Sequence, residues 1–144
     1  MMLPCEVAVK SVIPAIRAEL VKILYFEFKV KQTIIAKLLG ISQPAVSHYI
    51  KGIRGAVINL EEYEDIMAEI RKFAEALRNN NLGVEEKLEY FCKICAMIRV
   101  KGLLCEIHKK YDAEVAKAGC KFCVTNPLFI SKIKGIEVEN TINK

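Results

Sequence analysis

Hydrophobic residues recur at helical spacing along most of this chain, and that pattern predicts an all-α fold. The segments with this spacing, outside residues 32–52, are 4–29, 60–78, 84–100 and 103–117. The first of them should kink or restart near Pro14, and Asn59 with Glu62 is spaced as a capping pair for the second. Residues 51–60 contain two glycines and should form a loop or a short element.

Asparagine and glycine interrupt the helical pattern at residues 79–83. This break divides the chain into two predicted parts, residues 1–80 and residues 81–144. The segments 122–130 and 135–142 are short and prone to β-structure, but neither has an alternating pattern long enough to require a sheet. We therefore expect a helical bundle followed by a small helical module.

Residues 32–52 have the pattern of two short helices joined by a tight turn. Gly40 should end the first helix, because glycine enters the left-handed region at little steric cost. Ile41 should anchor the turn in the core, and Ser42 can cap the second helix through its hydroxyl. Pro44 falls in the first turn, where its missing N–H is not needed.

The same segment separates an apolar face from a polar one. The side chains expected to point inward are Ile35, Ala36, Leu39, Val46, Tyr49 and Ile50. Hydrogen-bonding side chains are left on the outer face of the second helix, and their lengths suit base edges and phosphates in a major groove. This combination favours a DNA-reading helix-turn-helix over an ordinary antiparallel helix pair.

Double-stranded DNA is therefore the predicted partner. The residues expected to contact DNA are Gln32, Thr33, Ser42, Gln43, Pro44, Ser47, His48, Lys51 and Arg54. Because one such unit contacts only a half-site, we also expect a homodimer. The apolar stripe of residues 60–77 is either its interface or ordinary intrachain core.

The chain resembles the archaeal predicted transcriptional regulators with a lambda-repressor-like, Xre-type helix-turn-helix. The segments that carry the resemblance are LPCEVAVKSVIPAIRAEL, ISQPAVSHYIKGIRG, CKICAMIRVKGLLCEIH and CKFC, within residues 3–123. Such proteins often have a Ser or Thr cap just before Gln32, where this chain has Lys31. The resemblance implies a DNA-binding regulator and leaves its effector open.

Charge is distributed unevenly along the chain, whose net charge is +5. Residues 1–60 contain 8 Lys and Arg against 3 acids, residues 61–90 contain 4 against 9, and residues 91–144 contain 10 against 5. A basic excess on the predicted DNA-reading part would attract the phosphate backbone, although any single lysine can serve solubility alone. No apolar run is long enough to span a membrane, and the start of the chain does not have the pattern of a secretory signal, so we expect no membrane association and a cytoplasmic location.

Cysteine and histidine form a second pattern. The pairs, each spaced three residues apart, are Cys92 with Cys95, Cys105 with His108, and Cys120 with Cys123. On a helix, residues at this spacing share one face, so each of the first two pairs can present two metal ligands. The third pair follows Gly119 and resembles a turn of the kind that metal ligands often occupy. The predicted metal ligands are Cys92, Cys95, Cys105, Cys120 and Cys123.

The spacing leaves the identity of the centre open. An iron-sulfur cluster is favoured, and zinc or reduced thiols without a metal are the alternatives. His108 alone fits a surface or capping role better than a ligand role, and Cys105 could be a small buried hydrophobe. Cys5 lies far upstream and fits best as a core thiol in an amphipathic helix.

The chain carries no motif of an enzyme. It has no glycine-rich phosphate loop, no HExxH and no GxSxG, and its acids cluster as an exposed helix face. We therefore predict a sequence-specific transcriptional regulator that senses metal, iron-sulfur or redox state. The alternative is an adaptor or nonspecific nucleic-acid-binding protein with a purely structural metal.

Overall fold

The computed structural model describes residues 1–55, 57–79 and 81–126. These residues are all-helical, as the hydrophobic pattern predicts. Their α-helices are α1 (Pro4–Lys10), α2 (Val12–Lys22), α3 (Gln32–Leu39), α4 (Gln43–Ile50), α5 (Glu64–Arg78), α6 (Val84–Val100), α7 (Leu103–Tyr111), α8 (Ala113–Ala118) and α9 (Phe122–Thr125). A π-helical turn (Ile23–Glu27) extends α2, and a 3-10 turn (Leu60–Glu62) precedes α5.

The first helical segment breaks at Ser11, one turn before the expected position at Pro14. A proline ring clashes with the carbonyl four residues earlier, which here belongs to Lys10, the last residue of α1. Pro14 itself lies in the first turn of α2. The fully buried Ser11 donates its hydroxyl to the carbonyl of Val7 across 2.7 Å, so the junction leaves no polar side chain unsatisfied.

Helix α5 begins at Glu64, later than the sequence pattern indicates. Asn59 does form the expected pair with Glu62, but the pair closes the 3-10 turn and not the helix. Along α5 the apolar stripe is buried inside the chain, with Ile66, Ile70 and Phe73 fully inaccessible. The stripe is therefore packed as intrachain core.

The segment predicted as one helix from 103 to 117 is two helices. Asp112 ends α7 and caps α8, because its Oδ1 accepts from the backbone N–H groups of Glu114 and Val115. Its Oδ2 accepts from the backbone N–H of Met2 across 2.8 Å. The β-prone segment 122–130 begins as the short helix α9, whereas its remainder after Asn126 and all of 135–142 lie outside the described residues.

Helix α2 lies at the centre of the molecule and packs against α1, α4, α5 and α6. One hydrophobic core runs from Val7 in α1 to Cys123 in α9 and is continuous across residues 79–83. The predicted division into two parts at residue 80 does not coincide with a break in this core, and the division stays a prediction. Over residues 1–55, 57–79 and 81–126, no helix combines the length and the apolar character needed to cross a membrane.

Candidate functional site

The turn between α3 and α4 is built by local hydrogen bonds that the sequence specifies. Gly40 has a φ of 64°, in the left-handed region, and its N–H donates to the carbonyl of Lys37. The N–H of Ile41 donates to the carbonyl of Ala36 across 3.0 Å, which completes a Schellman motif. Ser42 then caps α4 by accepting from the N–H of Ala45 across 3.2 Å. These bonds fix the angle at which α4 leaves α3.

Helix α4 separates a buried face from a polar face. Ala45, Val46 and Tyr49 are buried against the core, as expected for the last two, while Ile50 is half-buried. On the opposite side, Gln43 and Lys51 are exposed and Ser47 and His48 are half-exposed. Positions 43, 47 and 51 are four residues apart and therefore share one face. A row of hydrogen-bonding side chains runs the length of this short helix.

The two helices are joined at their N-terminal ends by a side-chain hydrogen bond. Nε2 of Gln43 donates to Oε1 of Gln32 across 2.7 Å. The bond holds the first side chain of α4 against the first side chain of α3. It leaves Oε1 of Gln43 and Nε2 of Gln32 available to a ligand. Lys31 makes no side-chain cap bond to α3, and Thr33 is exposed beside Gln32.

The loop after α4 is fixed to α2 by a close approach at Gly55. A Cβ atom at this position would lie 2.5 Å from Cβ of Ala18 and 2.8 Å from the carbonyl oxygen of Pro14. Gly55 also has a φ of 83°. Only glycine fits both constraints. This contact places the exposed Arg54 immediately beyond the exposed Lys51, at the C-terminal end of α4.

The cysteines form a second candidate site, and none of the six is in a disulfide. Cys95 and Cys123 are buried, and Cys105 and Cys120 are half-buried. Cys5 is exposed on the first turn of α1, so its expected place in the core is wrong. Its Sγ accepts a hydrogen bond from Nη2 of Arg99 across 3.2 Å. This contact joins residues 94 positions apart in the sequence.

Arg99 links the thiols of α1 and α6 to those at the end of the described chain. Its charge acts on Cys95, one turn earlier on α6, and on Cys123. Cys105 in turn interacts with Cys120 and Cys123, which both act on its pKa. Arg99, which is only 6% exposed, thus interacts with three of the thiols, those of Cys5, Cys95 and Cys123.

Burial keeps the inner thiols protonated near neutral pH. It raises the pKa of Cys123 to about 11 and also raises the pKa of Cys95 and Cys105. The positive charge of Arg99 acts in the opposite direction on Cys95 and Cys123. A metal that binds here must therefore displace protons, and Arg99 favours that displacement.

The donor set suits a soft metal or an iron-sulfur cluster, because both prefer thiolates. Across the described ranges, however, no group of three or more His, Cys, Asp or Glu side chains is arranged to hold a metal ion. Closing a centre thus requires the thiols to move together. Cys92 is exposed and lines a groove beside Ile13 and Leu88, and it contributes to the raised pKa of Cys95.

His108 is buried, so the expected surface position is wrong. Its Nε2 lies 2.8 Å from the carbonyl oxygen of Met2 and 4.0 Å from Oδ2 of Asp112. With the bond from Met2 to Asp112, this contact ties the segment before α1 to the α7–α8 junction. Neither this link nor the role of Arg99 has a signal in the sequence, since both depend on residues about a hundred positions apart.

Comparison of the chain with protein-family models, with curated proteins and with solved structures yields no match in any of the three.

Proposed function

We propose that this protein is a sequence-specific DNA-binding transcriptional regulator. The observation that carries the proposal is the outer face of α4, where Gln43, Ser47 and Lys51 form one hydrogen-bonding row on a helix whose other face is buried. A buried face fixes such a helix rigidly, and a polar face can then meet the base edges of a major groove in one register.

The side chains divide by what they can recognise. Gln43 and Ser47 lie in the first two turns of α4, where recognition helices contact bases. With Nε2 of Gln43 bonded to Gln32, its Oε1 remains to accept a hydrogen bond from a base amino group. Lys51 and Arg54 carry charge at the far end of the helix and suit phosphates.

The N-terminal end of α3 provides a further phosphate contact. Gln32 begins this helix, and its amide nitrogen is left as a donor by the bond from Gln43. The first backbone N–H groups of a helix also attract anions, so they would strengthen a phosphate contact at this end of α3. Thr33, Ser42, Pro44 and His48 complete the proposed DNA-contacting set.

We further propose that the regulator is a cytoplasmic homodimer that senses a metal or redox signal through its cysteines. One α4 helix reads only a half-site, so a two-fold partner doubles the sequence that is read. The cysteines supply thiolates for an iron-sulfur cluster or for zinc, and the thiols of Cys5, Cys95 and Cys123 interact with the buried Arg99. Such a centre can regulate because binding it requires the thiols to change position.

Selection from a pool of random DNA duplexes tests the proposed DNA recognition. Purified protein should enrich one short sequence, arranged as an inverted repeat if the dimer is correct. Repeating the selection with Gln43→Ala should change the enriched bases, whereas Lys110→Ala, a charge change outside the proposed interface, should leave them unaltered. A pool that stays random after several rounds would contradict sequence-specific recognition.

A further inference from the structure

A surface groove runs between the α3–α4 turn and α6. Its volume is about 470 Å³. The lining residues on which its chemistry depends are Ile13 and Arg17 of α2, Lys37 and Leu39 of α3, and Leu88 and Phe91 of α6. Protein pockets for small organic ligands have volumes of roughly 300 to 1,000 Å³. The groove is therefore large enough to hold a small molecule.

Much of the groove wall is apolar and faces solvent. Leu88 is 57% exposed, and Val84, one turn before it on α6, is exposed as well. Ile13, Leu39 and Phe91 are half-buried on the facing elements and on α6 itself. An apolar ligand that covers these side chains removes their surface from water, which is favourable.

The same groove is positively charged. Its charged lining residues are Arg17, Lys37 and Lys87, and no carboxylate lines it among the described residues. In the described ranges, none of the three cations is in a salt bridge. The groove thus combines an apolar wall with positive charge that no acidic side chain of the wall neutralises.

Arg17 is the least compensated of these cations. Its Nε is buried and has no hydrogen-bond partner within the described part of the chain. Its guanidinium carbon lies 5.9 Å from the ring centroid of Phe91, so the charge is held against an apolar part of the wall. Partial burial of a cation without a counter-charge is costly, and an anion bound beside the guanidinium would offset that cost.

Lys87 connects α6 to the end of α3. Its Nζ donates to the carbonyl oxygen of Leu38, in the last turn of α3, across 2.9 Å. An ammonium group has three N–H donors, so two remain for an anion in the groove. The bond therefore fixes the position of this cation without using up its donors.

We infer that this groove binds a small organic anion with an apolar body, of the class of medium-chain carboxylates. The apolar body covers Leu88 and Phe91, and the carboxylate is held by Arg17 and Lys87. A neutral or cationic amphiphile can make the same apolar contacts, but it gains nothing from the two cations.

The position of the groove relates it to DNA recognition. Leu39 is the last residue of α3, Gly40 is the left-handed residue that follows it, and both line the groove. A ligand in the groove thus contacts the turn that sets the angle of α4. We therefore expect the ligand to change the affinity for DNA, and this consequence, unlike the binding itself, rests on the proposed function.

Isothermal titration calorimetry of the full chain with decanoate tests the binding site. Decyltrimethylammonium has the same hydrocarbon chain with a positive head group and is the matched probe, both being used below the concentrations at which they form micelles. Decanoate should bind at least about tenfold more tightly, because only an anion gains charge-assisted hydrogen bonds. Equal affinities of the two probes, or no binding of decanoate, would overturn the inference.

One variant tests the cation and another tests the apolar wall. Arg17→Met should weaken decanoate binding by about tenfold or more, whereas Lys110→Met, outside the groove, should leave it unchanged. Leu88→Ser should weaken it by about fivefold or more. Leu3→Ser is the matched control, since Leu3 is 56% exposed and does not line the groove. Far-ultraviolet circular dichroism confirms that each variant is folded before its binding is compared.

Equal losses in Leu88→Ser and Leu3→Ser would show that decanoate binds exposed apolar surface at large, and would overturn the inference. Self-association that Leu88→Ser abolishes, in a protein that binds no decanoate, would assign the groove to a second copy of the chain and overturn it too.

The effect on DNA has a separate readout. Saturating decanoate should change the affinity for the selected duplex by about fivefold or more. An unchanged affinity would overturn the link between the groove and DNA recognition, while the calorimetry still decides the binding site. A DNA selection that stays random would remove the proposed function without altering the calorimetric result.

Discussion

The side-chain amide of Gln43 donates to the side-chain carbonyl of Gln32 across 2.7 Å, so the first residues of α4 and α3 are held together. A bond between the two helix starts restricts the rotamers of both amides before any ligand arrives. Less side-chain entropy is then lost on binding. The pair therefore presents one acceptor, Oε1 of Gln43, and one donor, Nε2 of Gln32, in a fixed relation.

Loss of the Gln43 amide should reduce specific binding more than nonspecific binding. We expect Gln43→Ala, and likewise Ser47→Ala, to cost about 1 to 3 kcal/mol on the selected sequence, because a base contact is lost. Binding to random duplex should change little. Fluorescence anisotropy with both duplexes at one salt concentration measures the two effects. Equal losses on the two duplexes would remove these residues from base recognition.

Lys51 and Arg54 should show the opposite behaviour. Neutralising either residue as Gln is expected to weaken binding to all sequences alike, because phosphate contacts carry no sequence information. The slope of log affinity against log salt should become shallower by about 0.9 for each lost phosphate contact. Lys110→Gln removes a charge outside the proposed interface and is the control. A slope unchanged in Lys51→Gln and Arg54→Gln would place both side chains away from DNA.

The close approach of Gly55 to α2 should be sensitive to a single methyl group. Gly55→Ala places Cβ 2.5 Å from Ala18 and also strains a φ of 83°, so we expect a loss of about 2 to 5 kcal/mol in the free energy of unfolding. Gly52→Ala is the matched control, since its φ is 74° and nothing lies within 4 Å of the added Cβ. It should lose only about 1 to 2 kcal/mol. Urea unfolding gives both values, and equal losses would show that the contact with Ala18 contributes nothing.

Asp112 should make the stability of the fold depend on pH. The hydrogen bond from the backbone N–H of Met2 lowers the pKa of its carboxyl below the ordinary value of 3.8. A lowered folded-state pKa gives stability that is fully present above 3.8 and is lost as the pH falls through the lower, folded value.

Two variants separate the charge of Asp112 from its capping role. Asp112→Asn can still cap α8, whereas Asp112→Ala cannot, so at neutral pH the loss of stability should be larger for Ala. For both variants, the loss in the free energy of unfolding relative to the unaltered protein should become smaller in strongly acidic solution. Urea unfolding over a pH series measures this, and a difference that is constant with pH would exclude the carboxylate as its source.

Local sequence signals predicted the parts of the fold that depend on neighbouring residues. Gly40, Ser42 and Pro44 specify the α3–α4 turn through their own backbone and side-chain preferences, and each occupies its expected place. The break at Ser11 could have been located in the same way, since the clash of a proline falls four residues upstream.

The parts that were missed depend on distant residues. The exposed position of Cys5 and its bond to Arg99 on α6 follow from the packing of α1 against α7, which no spacing in the sequence reports. The same holds for His108, whose partner Met2 is 106 positions away. From the sequence alone, the apolar stripe of α5 could be either core or dimer interface, because both require the same apolar periodicity.

The ratio of affinities for the selected duplex and for a scrambled duplex of equal length, at one fixed salt concentration, tests the central claim most directly. A regulator that reads sequence through α4 should prefer the selected duplex by about 10³-fold or more. Gln43→Ala should reduce that ratio while leaving the affinity for the scrambled duplex unchanged. Equal affinities of the unaltered protein for the two duplexes would contradict the account.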